Sequence, residues 1–223
     1  MVSSLLASAL AFSGLASAHY RVLAPAWRAN SLSTPGASQW VWPCANVSEL
    51  SASNTTGRTE WPLTGGSIKI NGSHEYALTY VNLGLGTNVS DFDIPLLHDF
   101  NQTGAGVLCL KDAVRDAMKK GLEANNVTED ELDGMKGSLQ IVQIAHGGGA
   151  LYNCADLTFS RSAKLLEDSD CQNATGVGGE FLHSSAIAMD HDHGAAGSNA
   201  ASALGVRGLV AALVAGGVGF VLM

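Results

Sequence analysis

The chain has 223 residues, a formal net charge of −8 at pH 7 and a sequence pI near 5.2. An acidic chain with only 12 Lys and Arg residues lacks the clustered cations that neutralise phosphates, so nucleic acid is excluded as a partner. Hydrophobic residues make up 46% of the chain and charged residues 14%, and apolar segments at both termini raise the first fraction. The middle of the chain is therefore more polar than the composition of the whole chain indicates, and it has the length of one domain.

The N-terminus has the features of a secretory signal. Residues 1–18 form an apolar segment that ends in Ala16, Ser17 and Ala18, the small-residue pattern of a cleavage site. Cleavage after Ala18 makes His19 the first residue of the mature protein. An N-terminal histidine offers a metal both its α-amine and its ring Nδ1, a chelate that no internal histidine forms. A second histidine would complete three nitrogens in a plane, which suits Cu(II) by geometry and by affinity order.

The first predicted strand covers Tyr20–Ala24. Residues 26–38 are rich in Ser, Ala, Gly and Pro without a period, which is typical of a loop. A short apolar segment follows at 39–44 and ends at a cysteine. Residues 45–59 are polar and contain two glycosylation sequons, so we predict an exposed, glycosylated loop there.

Two further strands are predicted at 67–70 and 74–83, where apolar and polar positions alternate. The Asn71-Gly72 dipeptide between them is a strong signal for a β-hairpin turn. Residues 88–100 show no clear period, and we interpret them as irregular.

The second half of the predicted domain contains helices and strands. Apolar residues recur at helical spacing over 108–124, and Thr128 with Glu131 has the form of a capping box, which predicts a second short helix up to residue 135. Residues 138–145 and 151–160 are predicted as strands separated by three glycines. Short strands with glycine-rich connections favour an all-β antiparallel sandwich with one or two helical insertions.

Four cysteines and seven N-x-[ST] sequons agree with a eukaryotic secretory pathway, in which the cysteines form two disulfides. From sequence alone, three disulfide pairings are open. The cysteines are Cys44, Cys109, Cys154 and Cys171. The predicted glycosylation sites are Asn46, Asn54, Asn71, Asn88, Asn101, Asn126 and Asn173.

The C-terminal part carries a second sorting signal. Beyond Cys171 the composition turns to Gly, Ala and Ser, and residues 176–199 are interpreted as a flexible stalk. The apolar, uncharged tail at 208–223 is shorter than the about 20 residues of a membrane-spanning helix. Small residues and a spacer precede it, which is typical of a GPI signal, although a short tail-anchored helix is the alternative. We predict attachment at Asn199 and removal of residues 200–223, and the alternative attachment residues are Gly197 and Ser198.

The seven histidines are the candidate metal ligands. His74 begins a predicted strand and His146 precedes three glycines, so both can lie at the rim of a sandwich. His98 with Asp99 is a candidate metal or acid/base pair, for which a solvated polar dipeptide is the alternative. Serine-hydrolase elbows, H-E-x-x-H helices and phosphate-binding loops are absent from the sequence. The remaining histidines, His183, His191 and His193, lie in the predicted stalk. For the segment Asp190-His191-Asp192-His193, a secondary copper-catching tract is one interpretation.

Five segments are informative when taken together, and they are His19-Tyr20, Trp42-Pro43-Cys44, 80–89, 108–110 and 150–156. In combination they resemble the fungal GPI-anchored copper-binding proteins, which are similar in fold to lytic polysaccharide monooxygenases. The resemblance covers about residues 19–171 and implies an immunoglobulin-like sandwich, expected here at 19–175. It also implies the disulfides Cys44–Cys154 and Cys109–Cys171.

The same resemblance implies a histidine brace that holds one Cu(II) ion per domain through His19 and His74. Family members often add an Asp ligand, but the loop before residues 150–154 contains His146 here, which becomes the candidate third protein ligand. The implied role is copper acquisition at the extracellular face of the plasma membrane or in the cell wall, not enzymatic oxidation. The expected partners are the copper ion, a plasma-membrane copper transporter and, through the GPI lipid, the membrane. The alternatives are a copper monooxygenase acting on a cell-wall glycan and a structural wall protein.

Overall fold

The computed structural model describes residues 19–54, 56–145 and 148–182. Within these ranges the chain forms nine strands and two short helices. The strands are β1 (Tyr20–Ala24), β2 (Thr59–Pro62), β3 (Ile68–Gly72), β4 (Tyr76–Leu85), β5 (Ile94–Thr103), β6 (Gly106–Leu110), β7 (Lys136–Ala145), β8 (Ala150–Ser160) and β9 (Gly178–Phe181). The helices are α1 (Arg115–Ala124) and α2 (Glu129–Leu132). The predicted signal peptide, His146, the tail histidines and Asn199 lie outside the described residues.

The strands form two sheets. One sheet has the order β1-β3-β6, and the other has the order β2-β8-β7-β4-β5-β9. Neighbouring strands are antiparallel except for β2, which pairs with β8 in parallel. The prediction of an all-β sandwich with few helices and two disulfides is confirmed.

The core lies between the two sheets because alternate residues of each strand point inward. On β4, Ala77, Thr79, Val81 and Leu83 are buried while the residues between them are more exposed. A single cluster of buried apolar side chains joins both sheets and includes Val22, Ile68, Ile70 and Leu108 from the small sheet and Val81, Leu83, Ile141, Leu157 and Phe159 from the large one.

The two disulfides join Cys44 to Cys154 and Cys109 to Cys171, which are the pairs that the resemblance implied. The first connects the loop after residue 39 to β8, and its partners are 110 residues apart in the chain. A cross-link over a loop of that length stabilises a fold by roughly 4 to 5 kcal/mol in the loop-entropy description.

A buried charge cluster holds the segment between β1 and β2 onto the large sheet. The Arg28 guanidinium donates to Asp156 at 2.7 Å and to Ser138, and Asp156 also accepts from the Leu50 main chain. Glu49 lies 2.9 Å from the Arg58 guanidinium and 3.8 Å from that of Arg28, so two cations face two carboxylates. Because these side chains are buried, each charge depends on its partners.

The predicted Asn71-Gly72 hairpin is wrong. Both residues lie inside β3, and the chain then crosses to the other sheet, so that β3 and β4 are not hydrogen-bonded to each other. A Cβ added to Gly72 would lie 3.1 Å from the side-chain nitrogen of the buried Gln102. The glycine therefore makes room inside the sandwich and does not form a turn.

Two other segments differ from the prediction. Residues 108–110, predicted as the start of a helix, form the end of β6, and α1 begins only at Arg115. The spacing of Leu110 and Val114 mimics a helical period, which short apolar runs do not distinguish from a strand. Residues 94–100, predicted as irregular, belong to β5. This strand has register shifts against β4 and a positive φ at Asp99, which obscure its alternation.

Two elements toward the end of the domain agree with the predictions only in part. The capping box of Thr128 and Glu131 is present, and α2 follows it, although it ends at Leu132 and not at residue 135. The large sheet extends past residue 175, because β9 pairs with β5 within the segment that was interpreted as stalk. Among the described residues no helix is long and apolar enough to span a membrane.

Candidate metal centre

Three parts of the chain meet at one end of the sandwich. Tyr20 pairs with Gly72, so the start of β1 lies beside the crossing from β3 to β4. Ala77, near the start of β4, pairs with Ala145, the last residue of β7. The topology therefore brings the predicted mature N-terminus, the segment containing His74 and the end of β7 to the same rim.

Ser73 holds the main chain of His19. Its main-chain N–H donates to the carbonyl oxygen of His19 at 3.1 Å, and its hydroxyl donates to the same oxygen at 2.8 Å. The main-chain nitrogen of His19 in turn donates to Ser73 Oγ at 3.1 Å. The atom that becomes the α-amine after cleavage is thus fixed one residue away from His74.

His74 has a buried ring nitrogen, Nε2, for which the described part of the chain offers no hydrogen-bond partner. A buried polar atom without a partner costs on the order of 1 to 3 kcal/mol, so such an atom calls for an explanation. A metal bound at Nε2 would supply one, and the donor set of this rim fits a metal that prefers nitrogen ligands.

Tyr20 anchors the strand that carries His19. Its side chain is buried in the core, and its hydroxyl donates to the carbonyl oxygen of Ile141 on β7 at 2.5 Å. Burial raises the pKa of Tyr20 far above its ordinary value, and a smaller effect of Asn153 opposes this. The neutral phenol therefore links β1 to the large sheet at any ordinary pH.

Gln39 is a site residue that sequence reasoning missed. Its side-chain amide accepts from the Tyr20 main-chain N–H at 3.2 Å and donates to the Tyr20 carbonyl at 2.7 Å. Its own carbonyl accepts from the main chain of Tyr152 on β8 at 2.7 Å. A glutamine in a short apolar segment before two tryptophans gives no local signal for this role, because the contacts are made with residues distant in sequence.

A cavity of about 330 Å³ opens beside His19 and is lined by Ser31, Leu32, Ala37, Ser38 and Gln39. In the segment that follows Gln39, Trp40 is 55% exposed and Trp42 is 61% exposed. Trp61, in contrast, is buried, with only 2% exposed. The ring of Trp40 lies against Gly149, because a Cβ there would be 2.3 Å from the ring. Trp40 and Trp42 thus lie at the surface, whereas Trp61 belongs to the core.

The other candidate ligands have different outcomes. His146 lies outside the described residues, so the third protein ligand stays a prediction. Within the described part of the chain no three His, Cys, Asp or Glu side chains form a metal-binding group. His98 is exposed, and its ring meets the edge of Tyr80, whose hydroxyl donates to Asp99 at 2.7 Å. His98 and Asp99 therefore sit on the face of the large sheet and share Tyr80 as their neighbour.

The sequon asparagines lie at the surface or partly buried, and their glycosylation stays a prediction. Asn46, Asn88 and Asn126 adopt positive φ, which asparagine tolerates better than most residues, so the backbone gives a second reason for their identity. Asn71 lies exposed on β3, two residues before Ser73.

Comparison with known proteins assigns the chain to a family. The family profile described as copper acquisition factor BIM1-like matches residues 17–176. The chain belongs to this BIM1-like family. The matched region begins just before His19 and contains both described histidines of the rim. The family assignment therefore supports a copper-related function for the protein.

Relatives of this BIM1-like chain are fungal proteins named after their similarity to lytic polysaccharide monooxygenases. It is 34% identical to the lytic polysaccharide monooxygenase-like protein ham-7 of Neurospora crassa, over 97% of both chains. It is 30% identical to the monooxygenase-like protein X325 of Aspergillus fumigatus, over 71% of this chain and 73% of the relative. The X325 protein of Hypocrea jecorina is 29% identical, over 76% of this chain and 77% of the relative. No solved structure gives a significant match.

Proposed function

We propose that the mature protein binds one Cu(II) ion in a histidine brace and acts in copper acquisition at the cell surface. The proposed ligands are the α-amine and ring Nδ1 of His19 and the Nε2 of His74. The observation that carries the proposal is the buried Nε2 of His74, which has no partner among the residues that the structure describes. His74 follows directly after Ser73, which holds the His19 main chain.

The chemistry of the donors selects the metal. Three nitrogen donors in one plane match the tetragonal preference of Cu(II). Among divalent first-row metals, Cu(II) is also the ion that imidazole and amine ligands bind most strongly. The ligands must be free of protons to bind, so the chelate depends on a neutral amine as well as on cleavage after Ala18. His146 is the proposed further ligand, in the loop that precedes Gly148 and Gly149.

A specific observation favours a second candidate function. Trp40 and Trp42 are exposed in the segment that directly follows Gln39, a residue of the cavity at His19. Exposed aromatic rings stack on sugars in many glycan-binding proteins. A copper monooxygenase acting on a cell-wall glycan would use such a surface. We favour copper acquisition because the family profile is described by that role.

Electron paramagnetic resonance of the copper-loaded, processed protein tests the proposed site. We expect a tetragonal Cu(II) signal with couplings to several nitrogens, weakened and altered in His74→Ala. His98→Ala is the matched control, because this histidine is exposed on β5, a strand of the large sheet that does not pair with β1. A His74→Ala spectrum equal to that of the wild type would contradict the brace.

A second assay separates the two candidate functions. The copper-loaded protein is incubated with ascorbate, oxygen and cell-wall glycans, and soluble oxidised oligosaccharides are sought by mass spectrometry. We expect no more oxidised oligosaccharides than free copper releases under the same conditions. Their release by the wild type, and its loss in His74→Ala, would favour the monooxygenase.

The proposed location follows from the predicted C-terminal signal. We propose that a GPI lipid on Asn199 holds the protein at the outer leaflet, where a plasma-membrane copper transporter would receive the ion. Treatment of intact cells with a phospholipase specific for phosphatidylinositol should release the wild-type protein. Protein that stays with the cells after this treatment, while a known GPI protein is released, would contradict the anchor.

A further inference from the structure

The proposed chelate depends on main-chain atoms at a chain end. Residues at a terminus are usually poorly ordered unless other groups hold them. A chelating α-amine that moved freely would have to be ordered by the metal itself, at a cost to affinity. The groups that hold His19 before metal arrives therefore contribute to the affinity of the site.

Ser73 is placed to hold the nitrogen in one orientation. A hydroxyl group has a single proton, and the carbonyl oxygen of His19 only accepts hydrogen bonds. The proton of Ser73 Oγ therefore lies on the 2.8 Å bond to this carbonyl, and Oγ accepts from the His19 nitrogen at 3.1 Å. In these two hydrogen bonds Ser73 Oγ is thus the donor to the His19 carbonyl and the acceptor from the His19 nitrogen.

We propose that Ser73 is the positioning residue for the α-nitrogen of His19, an inference that rests on the proposed copper site. After cleavage, one N–H of the neutral amine points at Ser73 Oγ, so the lone pair points away from Ser73 and stays available to the metal. Ser73 does not bind the metal. It acts as outer partners of metal ligands do, by fixing the direction of the ligand.

Gln39 supports this arrangement because it holds the main chain of Tyr20, the residue that follows His19. Its amide holds both the N–H and the carbonyl of Tyr20, and the amide nitrogen also donates to Ser31 Oγ at 2.9 Å. Ser31 in turn donates to Asn153 on β8 at 2.6 Å. Gln39 and Ser31 are buried, so His19 is attached to a rigid part of the large sheet and not to a free strand end.

Ser73 also belongs to a glycosylation sequon, and the test must separate this role from the role of its hydroxyl group. Ser73 is the hydroxyl residue of the predicted sequon at Asn71, so its removal also removes a glycan. Ser73→Ala loses both the hydroxyl and the sequon. Ser73→Thr keeps both, and Asn71→Gln loses only the sequon.

Cu(II) affinity of the processed full-length protein is measured by competition with a chelator, and the nitrogen couplings are recorded for each variant. We expect Ser73→Ala to weaken binding by roughly 10- to 100-fold, the usual effect of losing an outer partner of a metal ligand, and to broaden the nitrogen couplings. Ser73→Thr and Asn71→Gln should bind as the wild type does. The thermal midpoint of each apo variant shows whether the fold is retained.

The outcomes distinguish this inference from the proposed function. A wild-type protein that does not bind Cu(II) through nitrogens contradicts the copper site itself. Wild-type binding that is lost in His74→Ala but unchanged in Ser73→Ala overturns only the role of Ser73. Equal weakening in Asn71→Gln and Ser73→Ala would overturn it as well, because the glycan and not the hydroxyl would then be responsible.

Discussion

Tyr20 pairs with Gly72 across β1 and β3, and this one register position places both described histidines of the candidate site. His19 comes one residue before Tyr20, and His74 comes two residues after Gly72. Because the strands are antiparallel, these residues lie at the same end of the sheet. Strand register, and not proximity in sequence, thus sets the site.

An added residue before His19 should abolish tight copper binding. A glycine there converts the α-amine into an amide, which no longer offers a free lone pair. We expect affinity to fall by more than the roughly 10- to 100-fold that loss of an outer partner causes, with an unchanged thermal midpoint of the apo protein. Calorimetric titration against a competing chelator measures the effect. Undiminished affinity of the extended protein would rule out the amine as a ligand.

Removal of a buried carboxylate should destabilise the fold strongly. Asp156→Ala leaves the buried Arg28 without its 2.7 Å partner, and we expect a loss of about 3 to 5 kcal/mol in the free energy of unfolding. Asp168→Ala is the control, since Asp168 is 88% exposed in its pair with Lys111, so its removal should change the free energy of unfolding little. Urea unfolding of both variants gives the comparison. Equal losses would show that Arg28 finds another partner.

Two glycines that contact tryptophans should respond differently to alanine. In Gly66→Ala the new Cβ would lie 2.1 Å from Nε1 of the buried Trp61, and overpacking of this kind costs about 1 to 3 kcal/mol. In Gly149→Ala the neighbour is the exposed ring of Trp40, which can swing outward. We expect a lower thermal midpoint for Gly66→Ala, and for Gly149→Ala mainly a shift of tryptophan emission. A reversed order would mean that Trp40 is held more firmly than its exposure indicates.

Stability at alkaline pH should depend on Tyr80. The hydrogen bond that its hydroxyl donates to Asp99 raises the pKa of Tyr80, with smaller effects of burial and of the charge on Asp99. A tyrosine in the unfolded chain ionises near pH 10. The contribution of Tyr80 to the free energy of unfolding is therefore complete below about pH 10 and decreases as pH rises further. Between pH 8 and 11, Tyr80→Phe should lose less stability than the wild type in urea unfolding. Identical pH profiles would contradict this role of Tyr80.

Features that depend on neighbouring residues could be predicted from the sequence alone. The strand at Tyr20–Ala24 and the capping box at Thr128 were correct because alternation and capping involve residues a few positions apart. The cysteine pairing came from the resemblance, and the structure agrees with it. The cleavage pattern before His19 is likewise local, and the mature N-terminus that it indicates stays a prediction.

Features that depend on pairing between distant residues were decided by the tertiary structure. Gly72 belongs to β3 and not to a turn, since β1 and β6 pair with the strand on either side and buried glutamines occupy the space beside it. The contacts of Ser73 with His19 and of Gln39 with Tyr20 link residues 54 and 19 positions apart. The sequence thus predicted which histidines are the candidate copper ligands, whereas the register of the two sheets decided which groups contact the main chain beside them.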